Sequence, residues 1–331
     1  MITAVTGASG HVGVNLVRAL IAQGRDVRII AHSSTLGLEG LKVELRKGDV
    51  NDMDSLMQAF KGASVVYHLA AYISLLMSDR ERCNRINTEG TRNVIEACRR
   101  NNVGRLVHFS SIHAFCSEPL DVPIDETRPL VQSPKSVPYD LSKASGERLV
   151  RQAAAEGFNA VIINPTAVIG PYDYRPSHFG QALIMMAEGR VPVLLTGGFD
   201  WVDARDVAEG AIRAEQSAPA GANYLLSGMW LSVREIASIV AQIMGRRPPA
   251  LVCPAPVAGA CAPVVTAVSR WTGSRPLFTS VSLKALAGNR NISHDRATRD
   301  FGYEPRPIRE TISDTINWFI DNGFIKRRGR Q

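Results

Sequence analysis

The chain has 331 residues, of which 45% are hydrophobic and 21% charged. That balance suits one large globular domain or two unequal ones with a buried core, and it excludes disordered and fibrous classes. The net charge of +7 does not by itself mark a nucleic-acid binder, because the basic residues are scattered and the one dense cluster, IKRRGRQ, reads as a solvated tail.

The opening MITAVTGASG lacks a basic start and runs straight into strand-like sequence, so no secretory leader is expected. No apolar run has the length of a membrane-spanning helix. The five cysteines, at 83, 98, 116, 253 and 261, are odd in number and form no CxxC pair. They fit reduced thiols in a cytoplasmic protein better than a disulfide framework or a zinc site, and no metal is expected.

Short β-rich runs are expected as strands at 2–6, 26–31, 42–50, 64–71, 105–111 and 160–166. Amphipathic stretches lie between them. The first puts Val12, Leu16, Ala19 and Leu20 on one helical face and stops at Gly24. The stretch DMDSLMQAFKG opens on an aspartate cap and closes on Gly62. Strands alternating with helices imply βαβ units, hence a parallel sheet with helices on both faces.

After residue 166 the sequence is punctuated by Pro and Gly and loses that rhythm. The expected organisation is a nucleotide-binding domain over 1–166, joined again by 200–222, and a smaller, mostly substrate-binding region over 167–331. The apolar stretch 251–268 suits either a helix packed in the small region or a surface facing lipid.

TGASGHVG follows the first strand and opens the first helix, with Gly7, Gly10 and Gly13 three apart. Gly7 permits a tight turn, Gly10 lets backbone amides approach a pyrophosphate, and Gly13 lets the helix lie close to the sheet. This is the signature of a Rossmann-type doubly wound α/β fold. The phosphates would meet the positive end of the helix dipole. At the end of the second strand, where an acid commonly binds the adenosine ribose, the chain reads IIAHSST, with His32 and Ser33 and no acid. That leaves room for a ribose 2′-phosphate and favours NADP(H) over NAD(H). Asp49, at the end of the third strand, is a candidate for the adenine amino group, and the small residues of HLAA leave space for the cofactor.

Ser110 and Ser111 end the fifth strand, at the sheet edge where ligands bind in such folds. Tyr139 follows 28 residues after Ser111 at the start of a helix opened by Pro138, and Lys143 lies one turn further along the same face. A free phenol titrates near pH ~10 and is a poor base at neutrality. A neighbouring ammonium should lower that value, letting Tyr139 exchange a proton with a carbonyl or alcohol while hydride moves to or from nicotinamide. Ser111 would hydrogen-bond the same substrate oxygen.

In TGASGHVG, GDV, HLAA, INTEGTRNV, SSI, YDLSK, NPTAVIGP and WVDARDVA, taken in this order over about 10–230, the chain resembles the extended branch of the short-chain dehydrogenase/reductase superfamily. The resemblance implies Tyr139 as acid/base, Lys143 as the ribose holder that lowers its pKa, Ser111 as substrate orienter, and Asn87 near the active site, where it helps place a water. It also implies cofactor contacts from Ser9, His11 and Val12 beside the three glycines, from Val50, Leu69, Ala70 and Ala71, and from Pro165, Thr166 and Val168 bordering the nicotinamide. Asp206 is read as a helix cap, and a homodimer is expected.

Within that branch the chain is most similar to dihydroflavonol-reductase-like and hydroxysteroid-dehydrogenase-like members. The alternative is a nucleoside-diphosphate-sugar epimerase or dehydratase with tightly held NAD. Asp200, where sugar-nucleotide enzymes typically carry an arginine, favours the reductase, whereas Arg175, Arg190, Arg205 and Arg275 remain for a phosphate. A non-catalytic cofactor sensor would commonly lack Tyr139 or Lys143, and both are present.

Overall fold

The computed structural model describes residues 1–254, 256–260 and 280–326. Seven strands form one parallel sheet: β1 (Ile2–Thr6), β2 (Asp26–Ala31), β3 (Glu44–Lys47), β4 (Ala63–His68), β5 (Arg105–Phe109), β6 (Ala160–Pro165) and β10 (Asn223–Leu226), in the order β10-β6-β5-β4-β1-β2-β3. The order reverses between β1 and β4, so their carboxyl ends diverge and leave a crevice.

Side chains alternate across this sheet. Val5, Tyr67, Val107 and Val161 face α1 (His11–Ala22) and α7 (Ala204–Ser217). Their neighbours Ala4, Val66, Leu106 and Ile162 face α2 (Met53–Phe60), α4 (Gly90–Arg100) and α5 (Pro138–Ala155). Both faces are covered, which is why these strands read as nearly unbroken apolar runs rather than as an alternating pattern.

The strands are shorter than the sequence suggests. The expected 42–50 contracts to Glu44–Lys47, a mostly exposed edge strand; 64–71 becomes Ala63–His68, and 105–111 becomes Arg105–Phe109. The residues beyond each ladder turn out towards the crevice. Between β4 and α4 the chain forms α3 (Arg80–Cys83) and then a π turn over Asn84–Glu89.

A three-stranded sheet, β11-β9-β7, lies beyond β6: β7 (Ala167–Ile169), β9 (Gly198–Asp203) and β11 (Met229–Ser232). With α6 (His178–Ala187), α8 (Val233–Ile243) and the helix Ile308–Asp321 it encloses a separate core around Leu183, Trp201, Ile236, Ile312 and Phe319. In the apolar stretch 251–268, Leu251–Cys253 is a strand paired in parallel with β8 (Val193–Leu195) and 256–260 are helical, while 255 and 261–268 lie outside the described residues. No helix among the described residues is long and apolar enough to cross a membrane.

The cap of α7 differs from expectation. Asp203, not Asp206, accepts the Arg205 amide. Asp206 lies inside the first turn and binds Arg306 through three contacts, the Arg306 amide at 2.8 Å, its Nε at 2.8 Å and its Nη2 at 2.7 Å. The carboxylate thus fastens the C-terminal segment to the returning helix.

Candidate active site

A cleft of about 1500 Å³ follows the carboxyl edge of the large sheet, from the glycine turn to the aromatic residues of the small sheet. Its first wall is backbone. Gly7 has φ of +69°, and a Cβ there would lie 2.6 Å from the Ala70 amide nitrogen. A Cβ at Gly13 would lie 2.3 Å from the Gly7 carbonyl oxygen. Turn, helix and the exit of β4 therefore pack backbone to backbone. Helix α1 starts on Gly10 with no side-chain cap and no acid in its first turn, so its free amides and positive dipole end face the cleft. These residues fit the pyrophosphate of a dinucleotide.

His11 is turned elsewhere. Its Nε2 lies 3.1 Å from the carbonyl oxygens of both Gly170 and Pro171, so the ring ties the helix start to the loop after β7 rather than to a phosphate. Asn15 donates to the Pro171 carbonyl as well, at 3.1 Å.

No acid follows β2, yet β2 and β3 are parallel neighbours, and their ends bring Asp49 to His32, with Oδ2 3.3 Å from Nε2. The other Asp49 oxygen accepts from the Asn51 amide at 2.9 Å and side chain at 2.8 Å. Ser33 and Ser34 stand on the same rim as uncharged hydroxyls, and Val50 lies under α4 against Gly90.

Ser111, Tyr139 and Lys143 converge in the middle of the cleft. The Ser111 hydroxyl accepts the His113 amide at 3.2 Å, which leaves its own proton to donate, and it lies near enough to the Tyr139 phenol to oppose the effect of burial there. Burial dominates the phenol and pushes its pKa up to about 12, against the lowering expected from a lysine at this spacing. The reason is geometric, because Lys143 Nζ donates to the Phe109 carbonyl oxygen at 2.6 Å rather than to the tyrosine. Burial brings Lys143 itself down to about 8, opposed by the Glu147 carboxylate one turn on. Glu147 is fully buried and accepts from Asn164 at 2.7 Å and from Arg151 at 2.6 Å.

Asn87 is a clamp. Its Oδ1 accepts the Tyr72 amide at 2.7 Å, while Nδ2 donates to the Tyr72 carbonyl and to Ser142 Oγ, each at 2.9 Å. The amide so spent locks the segment after β4 onto α5. The π turn that carries Asn87 gives it this reach.

On the opposite wall, Pro165, Thr166 and Val168 border the cleft, with Phe179 and Phe199 beyond them. Phe179, Phe199 and Trp201 pack edge to face with centroids 4.9–5.5 Å apart. Asp200 is nearly buried. One oxygen, Oδ1, accepts from Thr166 Oγ1 at 2.7 Å and from the Gly228 amide at 2.8 Å. Thr166 and Gly228 are the points where the chain passes between the two sheets, so this acid is first a staple of the fold. Burial raises its pKa to about 6. Of the arginines left for a phosphate, Arg190 is paired with Glu188 and Arg205 with Asp203 and Asp314; Arg175 lines the cleft, and Arg275 lies outside the described residues.

Sequence reasoning missed two histidine pairs. His68 and His108, register partners on β4 and β5, are buried beside Lys143 with ring centroids 5.4 Å apart. His68 is held between Thr6 Oγ1 at 2.8 Å and Thr91 Oγ1 at 3.2 Å, and burial lowers its pKa to about 3. His113 and Asp140 meet in the cleft at 3.3 Å. His113 directly follows the motif SSI and Asp140 lies inside YDLSK, but the irregular chain over 115–137 hides the meeting.

The model of the NAD dependent epimerase/dehydratase family matches residues 3–226. Sterol demethylase protein B of Methylococcus capsulatus is 33% identical over 98% of this chain and 100% of its own length. A putative dihydroflavonol 4-reductase of Synechocystis sp. is 30% identical, covering 97% of this chain and 95% of that protein. Among solved structures, the crystal structure of gox2253 superposes with a TM-score of 0.86 at 33% identity, covering 98% of this chain and 99% of that one.

Proposed function

The chain belongs to the NAD-dependent epimerase/dehydratase family, the extended branch of the short-chain dehydrogenases/reductases, whose members use a nicotinamide cofactor, and within it we propose an NADP(H)-dependent reductase of a carbonyl on a partly hydrophobic substrate. The observation that carries this reading is the convergence of the buried Tyr139 phenol with Ser111 and Lys143 in the cleft. With its pKa at about 12, the phenol holds its proton at neutral pH and can give it to the oxygen of a carbonyl as that oxygen gains charge. Ser111, its oxygen oriented by the His113 amide, donates to the same oxygen. Lys143 lies on the cofactor side of that pair and would hold the nicotinamide ribose. A nicotinamide bound there supplies the hydride.

The substrate side supports an apolar partner. Ile73, Leu75, Met77, Phe115, Phe179 and Phe199 line it. A relative named sterol demethylase protein B makes a sterol-like ketone or alcohol the first class to try. NADPH is favoured by the absence of an acid after β2, with Ser33 and Ser34 as donors; the Asp49 carboxylate beside His32 opposes it. Fluorescence titration decides, since NADH binding at least as tightly as NADPH would reverse the preference.

The principal experiment follows NADPH consumption with aliphatic, aromatic and steroid ketones. Tyr139→Phe should lose roughly 10²–10⁴-fold in turnover while keeping cofactor affinity. A near-normal rate in that variant would remove Tyr139 from the role. NAD that copurifies and is released on denaturation, with no net NADPH consumption, would instead identify an epimerase.

A further inference from the structure

We propose that the mouth of the cleft is a membrane-docking surface, where Ile73, Leu76 and Met77 enter the interface of an anionic lipid bilayer and Arg80, Arg82 and Arg85 meet its headgroups. The three apolar side chains are 62%, 60% and 53% exposed and stand in one short segment between β4 and α3. A single exposed apolar residue is ordinary, but three within one turn of chain at the rim of a cleft form a patch. The chain then winds through α3 into the π turn, so Arg80 follows Met77 by one turn, with Arg82 and Arg85 behind it. An apolar tip backed by guanidinium groups is the order of an interfacial membrane element.

The charge of the patch selects the partner. Arg80 donates to the Ser136 carbonyl oxygen at 3.4 Å, and Arg82 lies over the Tyr72 ring, 4.2 Å from its centroid. Neither they nor Arg85 stands within ion-pair distance of a carboxylate among the described residues, and Arg82 and Arg85 are exposed. Of the two acids in the segment, Asp79 turns inward to accept from Tyr72 Oη at 3.0 Å and Ser74 Oγ at 2.6 Å, which leaves Glu81 facing solvent. Lys135, next to Ser136, adds a further exposed cation. The patch is thus apolar and positive, and the chain as a whole carries +7, which suits phosphate headgroups. A bilayer fits it better than a second protein, because Ile73, Met77, Arg82 and Arg85 also line the cleft. A protein seated there would seal the entrance, whereas a bilayer would feed an apolar substrate into it. Delivery of substrate rests on the apolar-substrate reading above; attachment to the bilayer does not.

The test centrifuges the full-length enzyme with vesicles of phosphatidylcholine alone and of phosphatidylcholine with about one-quarter phosphatidylglycerol. Partition into the anionic vesicles should exceed that into the neutral ones by about 10-fold and weaken as salt rises. Replacing Ile73, Leu76 and Met77 together by Ser should lower it by about 10-fold or more, and Arg82→Gln with Arg85→Gln by a similar factor. Should the triple variant fail to fold, Leu76→Asp serves alone. Leu76 does not line the cleft, so this variant should lose partition yet keep the wild-type melting temperature and wild-type reduction of a water-soluble ketone. An enzyme that does not sediment with anionic vesicles, or a Leu76→Asp variant that sediments as well as the wild type, overturns the docking surface. So does a dimer in solution that Leu76→Asp splits without any vesicle binding, which would give the patch to a second copy. Vesicle binding by an enzyme that reduces no ketone would keep the surface and remove the reductase reading. Reduction without vesicle binding would do the reverse.

Discussion

Two walls of one cleft are built by different means. The wall assigned here to the cofactor is shaped by backbone: Gly7, Gly10 and Gly13 bring the turn, α1 and the exit of β4 into contact, and there is no space for a Cβ at Gly7 or Gly13. On the substrate wall, side chains do the shaping. An aromatic trio, a buried aspartate and a histidine–aspartate pair are delivered from separate segments. A backbone-built wall tolerates no added atoms. A side-chain wall can change its lining while the frame stays put, which is how one fold accommodates many substrates.

The largest effect on ligand binding should come from filling the first wall. Gly13→Ala places a methyl 2.3 Å from the Gly7 oxygen, so the turn must move. Cofactor affinity is expected to drop by on the order of 10²-fold, about 3 kcal/mol; a titration showing unchanged affinity would mean that the turn does not shape the phosphate site.

The next effect concerns the floor between the walls. His68 has a folded pKa of about 3, below the unfolded value near ~6.5. The unfolded chain therefore takes up the proton first. The stabilisation is fully present above about pH 6.5 and is lost as pH falls towards about 3, up to about 5 kcal/mol in all. Melting temperatures from about pH 7 down to about pH 5 should fall steeply for the wild type and less steeply for His68→Asn.

Asp200 tests the second wall with the opposite sign. Its folded pKa of about 6 lies above the unfolded value near ~3.9. The penalty of ionising it is absent below about pH 4 and complete above about pH 6, so this residue's contribution falls as pH rises through that window. Asp200→Asn keeps an oxygen for Thr166 and Gly228 and should gain up to about 3 kcal/mol at neutral pH without weakening cofactor binding. A variant less stable than the wild type at neutral pH would show that the charge itself is needed.

The smallest expected change lies away from the cleft, in the capping box of α8, where Ser232 and Glu235 satisfy each other's backbone amides. Ser232→Ala should cost about 1 kcal/mol, read from the melting temperature, with both walls unaffected.

The same division decides what could be read from the sequence. The glycine turn, the alternation of strands with helices and the Ser111–Tyr139–Lys143 set are local patterns or fixed offsets within βαβ units, and period-2 and period-3.6 signals carry them. The direction of the Tyr139 shift was not legible, because it depends on where Lys143 Nζ points, and that is set by the Phe109 carbonyl on another strand. The contact of Asp49 with His32 was not legible for a similar reason: the two are distant in sequence, and the pairing of β2 with β3 brings them together. Asp200 could be read only as the acid standing where sugar-nucleotide enzymes carry an arginine; its part as a staple depends on donors from both crossover points.

That last arrangement bears on how substrate can enter. The chain leaves β6 for β7 through the single residue Thr166, and returns from β10 to β11 through Ser227 and Gly228. Thr166 is held on one side by its amide, 3.4 Å from the Leu226 oxygen, and on the other by its hydroxyl on Asp200. Connections this short, stapled together at one carboxylate, leave no hinge about which the two sheets could swing apart. A bulky ligand would then pass between the rim segments, where Ile73 and Met77 stand exposed on the lining of the cleft.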